Sequence, residues 1–172
     1  VAILLNNLGA LLQKTNRLPE AEPLLRRAIT IYEKSYGKDH PSVGNALNSL
    51  AHLLQATNRL TDAEPMMRRA LEITENSYGR DHPNVAILLN NLGALLQKTN
   101  RLSDAEPLLR RAVEILVHFT VTNRHQHPHL LGAVGKWSRL LETLGWSEEQ
   151  IATNLRALGP ELFNGSIRIC KP

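Results

Sequence analysis

Apolar residues recur at spacings of three and four through most of the chain. In residues 2–15 they are Leu4, Leu5, Leu8, Leu11 and Leu12, the spacing of one helix face. Polar turn residues Thr15, Asn16 and Arg17 follow. A second apolar set then begins with Ala21, Leu24, Leu25, Ala28, Ile29, Ile31 and Tyr32. The whole pattern repeats. Val1–Leu18 (VAILLNNLGALLQKTNRL) returns unchanged as Val85–Leu102, and Val43–Leu60 (VGNALNSLAHLLQATNRL) is a variant of it. Val1, Val43 and Val85 stand forty-two residues apart, a period that marks a repeat protein built from helix pairs. The spacing predicts helices over 2–15, 19–36, 42–57, 61–78, 84–99, 103–120, 129–144 and 147–158.

Local signals punctuate these helices. Gly9, Ala51 and Gly93 share one place on the face that carries Leu5, Leu8 and Leu12. Glycine in a helix costs about 1 kcal/mol against alanine, so close approach of the paired helix is expected there. Thr61–Glu64, Ser103–Glu106 and Ser147–Gln150 match capping boxes. Gly37 and Gly79 read as left-handed helix ends, and His40-Pro41 and His82-Pro83 as helix starts with proline in first position. Stacking such pairs makes a continuous core.

The last unit departs from the pattern. Residues 113–121 are more apolar than their counterparts, Trp137 replaces the leucine, Ser138 the small residue, and Gly159-Pro160 stops the final helix. The expected organisation is a repeat domain over 1–158, with units 1–41, 42–83, 84–127 and a C-terminal capping unit 128–158. A tail over 159–172 follows, in which Leu162 and Phe163 tuck against the cap. Val1 is not a start methionine, so the chain reads as a piece of a longer protein. Leu4 and Leu11 are then expected on an open apolar side of the first unit.

The small and large residues Leu5, Leu8, Gly9, Leu12, Ala21, Leu25 and Ala28 resemble the tetratricopeptide signature. The longer period, the AEPLLRRA segments (Ala21–Ala28, Ala105–Ala112) and the YGKDHPSV and YGRDHPNV segments are similar to the kinesin light chain type of that repeat. The resemblance implies an all-α, right-handed α-α superhelix (a solenoid) that serves protein–protein interaction.

Composition narrows this picture. Aromatics are only 4% of 172 residues, so Leu and Ala must fill the core. The net charge of +4 is too diffuse to argue for nucleic acid. No apolar run approaches a membrane span and no signal peptide is present. Cys170 is the only cysteine, which points to a reducing, cytoplasmic setting. No nucleophile motif, glycine-rich phosphate loop or carboxylate pair argues for an enzyme, and no cofactor is implied.

Spacing also assigns a candidate groove on the side of the first helices away from the core. Asn6, Asn48 and Asn90 are expected as a ladder there, with Gln13, Gln55 and Gln97 as a second row, His52 among them, and Lys136 and Arg139 at the C-terminal end. Amides offer donors and acceptors suited to the backbone of an extended peptide. The same amides could instead tie neighbouring helices together, which would make the array a structural spacer or self-association module. The few basic positions argue against a carboxylate clamp. Arg26-Arg27, Arg68-Arg69 and Arg110-Arg111 read as a solvated outer face with glutamates at helical spacing. His118, His125, His127 and His129 lack a cysteine or carboxylate nearby, so no metal site is assigned. The expected partner is a protein or peptide, with possible self-association through the open N-terminal end.

Overall fold

A computed structural model describes residues 1–163. All eight expected helices are present and no strand occurs among the described residues. The helices are α1 (Ala2–Lys14), α2 (Leu18–Tyr36), α3 (Pro41–Ala56), α4 (Leu60–Tyr78), α5 (Pro83–Lys98), α6 (Leu102–Asn123), α7 (Leu130–Thr143) and α8 (Glu148–Leu158), with a short α9 (Pro160–Phe163) that the spacing did not predict. No helix among the described residues is long and apolar enough to cross a membrane. The chain forms two compact units, Val1–Arg80 with α1–α4, and a second that starts at Asp81 and holds α5–α9.

In the first unit α1 packs on α2, α3 on α4, and α2 on α3. The small residue on each first helix sets the closeness of its pair. A Cβ on Gly9 would lie 2.7 Å from Leu25 Cδ2 and 2.8 Å from its Cγ. Ala51 is fully buried in α3, and the repeat places the equally buried Met67 opposite it. Glycine thus faces a branched leucine, whereas alanine faces an unbranched methionine that can bend away. Leu8, expected in the core, is 45% exposed, while its counterparts Leu50 and Leu92 are buried. No helix among the described residues covers that side of α1. Leu4 and Leu11, expected on an open side, are 72% and 56% exposed; Leu88 and Leu95, in the identical sequence copy, are buried.

In the second unit α5 packs on α6 and on α7. Gly93 repeats the crossing of Gly9, since its Cβ would sit 2.7 Å from both Leu109 Cδ2 and Cγ. Ser138 is buried at the matching place on α7, and Trp137 beside it is buried too. Gly159 lies so close to α6 that a Cβ would meet Val117 Cγ1 at 2.8 Å. Val117 stands where α2 and α4 carry Glu33 and Glu75, so an apolar contact replaces a carboxylate where α9 packs. Phe163 is buried as expected, but Leu162 is 36% exposed. Cys170 and the remaining tail lie outside the described residues.

Helix ends correct several expectations. The capping boxes at Thr61 and Ser103 do not form, because α4 and α6 start earlier, at Leu60 and Leu102, with Arg59 and Arg101 at the cap and no side-chain cap bond. The preceding turn leaves no room for a cap residue. Asn16, Asn58 and Asn100 each sit at φ 58°, and in the first turn Arg17 N–H donates to Leu12 O while Asn16 N–H donates to Gln13 O. That is a Schellman ending with asparagine in the left-handed position. Ion pairs Arg59–Asp62 and Arg101–Asp104 fasten the new helix starts instead. Ser147 and Gln150 do form the reciprocal box. Gly37 and Gly79 have φ of 92° and 89°, but ψ of 162° and 157° places them outside the left-handed helical region. Helix α6, expected to end at residue 120, runs on to Asn123 and ends at Arg124 with φ 50°.

Candidate peptide-binding face

The core consumes the leucines of the first helices and leaves their amides to be placed. In the first unit Asn6 is half-buried on α1, and its Oδ1 is buried with no hydrogen-bond partner. In the second unit Asn90, at the same place in the identical copy, has the same orphan Oδ1. A buried acceptor left unsatisfied costs about 1–3 kcal/mol. Asn90 was expected to be at least partly exposed, yet it is only 6% exposed. Its helix packs on two others, and its neighbours Leu89 and Gly93 are fully enclosed. Asn48 and His52 on α3 are half-buried and each has a partner.

The glutamines divide between two roles. Gln13 Nε2 donates to Ser49 O at 2.9 Å, which ties α1 to α3. Gln55 Nε2 lies 3.6 Å from Met67 Sδ, which ties α3 to α4. Gln97 on α5 is half-buried with no partner among the described residues. On α7, burial and the charge of Arg139 hold the Lys136 ammonium below its usual value. Arg139 is exposed and its Nε donates to Gly135 O at 3.1 Å. A Cβ on Gly132 or Gly135 would meet nothing within 4 Å, so this stretch of α7 opens onto free space.

Other candidates resolve differently. Arg26 pairs with Glu22 and Arg68 with Glu64, as local spacing required, whereas Arg110 pairs with Glu114. Spacing alone did not reveal that Arg59 and Arg69 reach from α4 to α2, where they bind Glu22 at 3.0 Å and Glu33 at 2.7 Å. Nor did it reveal that Trp137 Nε1 donates to Glu106 Oε1 at 3.1 Å. His127 Nδ1 accepts the His129 backbone N–H, and its ring meets Phe119 edge-on at 5.1 Å. Burial first, then the charges of His129 and His125, hold the His127 imidazolium below its usual pKa. No group of three potential metal ligands gathers among the described residues. A shallow cleft on α8, lined by Trp146, Glu149, Gln150, Thr153 and Asn154, was not foreseen.

These repeats have a counterpart among known families. The tetratricopeptide repeat pattern matches residues 1–76 and, overlapping, residues 43–116. The chain belongs to the tetratricopeptide repeat family. The fold is similar to that of a Podosopora anserina protein described as a kinesin light chain with nearly identical TPR-like repeats. That match has a TM-score of 0.74 at 21% identity and covers 90% of this chain and 72% of that one. It is also similar to BtubC from P. vanneervenii, with a TM-score of 0.78 at 20% identity over 99% of this chain and 67% of that one. Aspartyl phosphate phosphatase F from Bacillus subtilis has a TM-score of 0.75 at 15% identity, covering 96% of this chain and 41% of that one. No curated protein sequence matches. Tetratricopeptide repeats are protein-interaction scaffolds, and this chain is one by membership.

Proposed function

We propose that the protein is the adaptor part of a larger protein and that, within each of its two units taken separately, the amides of the first helices hold an extended peptide segment of a partner. The observation that carries this reading is the pair of orphan acceptors, Asn6 Oδ1 and Asn90 Oδ1. Neither acceptor is used by the protein's own helices, and in this reading the amide turns about χ2 to meet a ligand N–H. Gln97 lies seven residues after Asn90, two helical turns along the same side, and supplies a second unengaged amide. Lys136 and Arg139 bias the face on α7 towards an acidic ligand. A reducing, cytoplasmic location fits the lone Cys170.

The second reading is a structural spacer, and a specific observation favours it for part of the set. Gln13 and Gln55 spend their amides on Ser49 O and Met67 Sδ. We assign those two glutamines to holding helices together. A peptide-display screen against the whole chain separates the readings. A peptide-holding face enriches an extended motif whose binding weakens in Asn90→Ala, whereas a spacer enriches nothing.

A further inference from the structure

Three helix starts in this chain rest on a histidine, and each bond that does so needs a neutral ring. In the first unit His40 Nδ1 accepts the backbone N–H of Ser42 at 3.2 Å where α3 begins, and Val43 N–H donates to His40 O. In the second unit His82 makes the same pair of bonds at α5, with Asn84 N–H at 3.1 Å on its Nδ1 and Val85 N–H on its carbonyl. His127 repeats both ahead of α7: His129 N–H donates to its Nδ1 at 3.2 Å, and Leu130 N–H donates to its O at 3.0 Å. A proline follows each of the three histidines. An imidazole accepts through Nδ1 only when it is neutral with its proton on Nε2, whereas imidazolium is a donor at both nitrogens. Protonation therefore sets one donor against another and brings positive charge to the positive end of the next helix.

The surroundings single out His127. Asp39 and Asp81 precede the first two histidines, whereas Gln126 precedes the third, and His125 and His129 flank it. The His129 ring lies 5.5 Å from the His127 ring, and Phe119 meets it edge-on at 5.1 Å. His127 N–H donates to Thr120 Oγ1 at 3.2 Å, which ties the loop to the buried Thr120 on α6. Phe119 and Thr120 from α6, and the buried Leu130 from α7, do not titrate. Burial first, then the charges of His129 and His125, oppose a proton on this ring.

We propose that His127 is an acid-sensitive latch: neutral, it fastens the loop 124–129 to the end of α6 and the start of α7, and on protonation it releases the first turn of α7. Release loosens the helix that carries Lys136 and Arg139, whatever that helix binds. Because the folded chain holds this ring below the ordinary histidine value of about 6.5, the latch is fully closed above that pH. Its hold weakens as the pH falls from there towards the lowered value, and the opening equilibrium rises by up to about tenfold per pH unit.

Two measurements on the whole chain test the latch. At neutral pH the imidazole nitrogen chemical shifts should place the His127 proton on Nε2. Amide exchange at His129 and Leu130, corrected for the intrinsic rate at each pH, should lose protection by up to about tenfold per unit as the pH falls below about 6.5. Asparagine also accepts a backbone N–H two residues on and does not titrate, so His127→Asn should keep the neutral-pH protection and show no fall on acidification. An Nδ1–H tautomer at neutral pH overturns the proposal. So does a wild-type protection profile that is flat with pH, and so does an equal fall in His127→Asn.

Discussion

The repeat writes its own packing rule at the helix crossings, and a double-mutant cycle can read it. Gly9 faces Leu25 and Gly93 faces Leu109, and the repeat puts Ala51 and Met67 at the equivalent positions. Gly93→Ala would gain about 1 kcal/mol of helix propensity. Its new Cβ would sit 2.7 Å from Leu109 Cδ2 and Cγ. Leu109 is fully buried and cannot swing into open space. Overpacking of this kind costs about 1–3 kcal/mol, so the net expectation is a loss of about 0–2 kcal/mol. Leu109→Met alone should cost under about 1.5 kcal/mol, as a volume-conserving change. The two together recreate the Ala51–Met67 pair, and methionine moves its branch point out of the way. The expected coupling is favourable by about 1–2 kcal/mol, well above the few tenths seen between independent sites. Urea unfolding of the wild type, both single variants and the double variant measures it. Additivity within about 0.3 kcal/mol would refute the packing rule, as would a Gly93→Ala variant more stable than wild type. Gly132→Ala serves as the control, because its Cβ meets nothing within 4 Å and should stabilise α7 by about 1 kcal/mol.

Three further outcomes are expected. Ala51→Leu should lower the urea midpoint by an amount equivalent to about 1–3 kcal/mol, because Ala51 is fully buried on α3, which packs on α4; an unchanged midpoint would put that helix face elsewhere. Ser147→Ala removes the reciprocal box at the start of α8 and should cost about 0.5–2 kcal/mol, visible as faster amide exchange in α8. Glu22 is held below the usual glutamate range by Arg26 first, then by Arg59, so its stabilisation is present above the ordinary glutamate pKa of about 4.3 and is lost as the pH falls through the lowered value. Thermal melts between neutral and acid pH should therefore converge for wild type and Glu22→Gln at the acid end, and a constant gap would contradict the assignment.

The fold was legible because the information is periodic. Identical residues at Val1–Leu18 and Val85–Leu102 fix the same turn twice, and the variant between them shows which positions tolerate change. What escaped depends on contacts that helix spacing does not encode. Glu22 and Arg59 are far apart in the chain and on different helices, so no helical wheel pairs them. Thr61 and Ser103 match a capping box by spacing alone, but the asparagine turn before each helix starts it too early for the box. Leu8 has a core residue's spacing, and its exposure reflects which neighbours α1 has rather than its pattern. The candidate face was legible only as a set of positions. Spacing aligned Asn6, Asn48 and Asn90 as equivalents, yet Asn48 has a partner while the Oδ1 atoms of Asn6 and Asn90 have none. Gln13 and Gln97 also share one repeat position, and only Gln13 is spent on a neighbouring helix.

The most direct test of the peptide-holding account measures stability and affinity together in Asn90→Ala, with a peptide enriched by display as the probe. The account predicts opposite signs. Removing an unsatisfied buried acceptor and placing alanine in a helix should raise stability by about 1 kcal/mol. Losing the ligand contact should weaken peptide binding by about 0.5–1.5 kcal/mol. A lowered melting temperature with unchanged affinity would contradict the account and make Asn90 a structural residue.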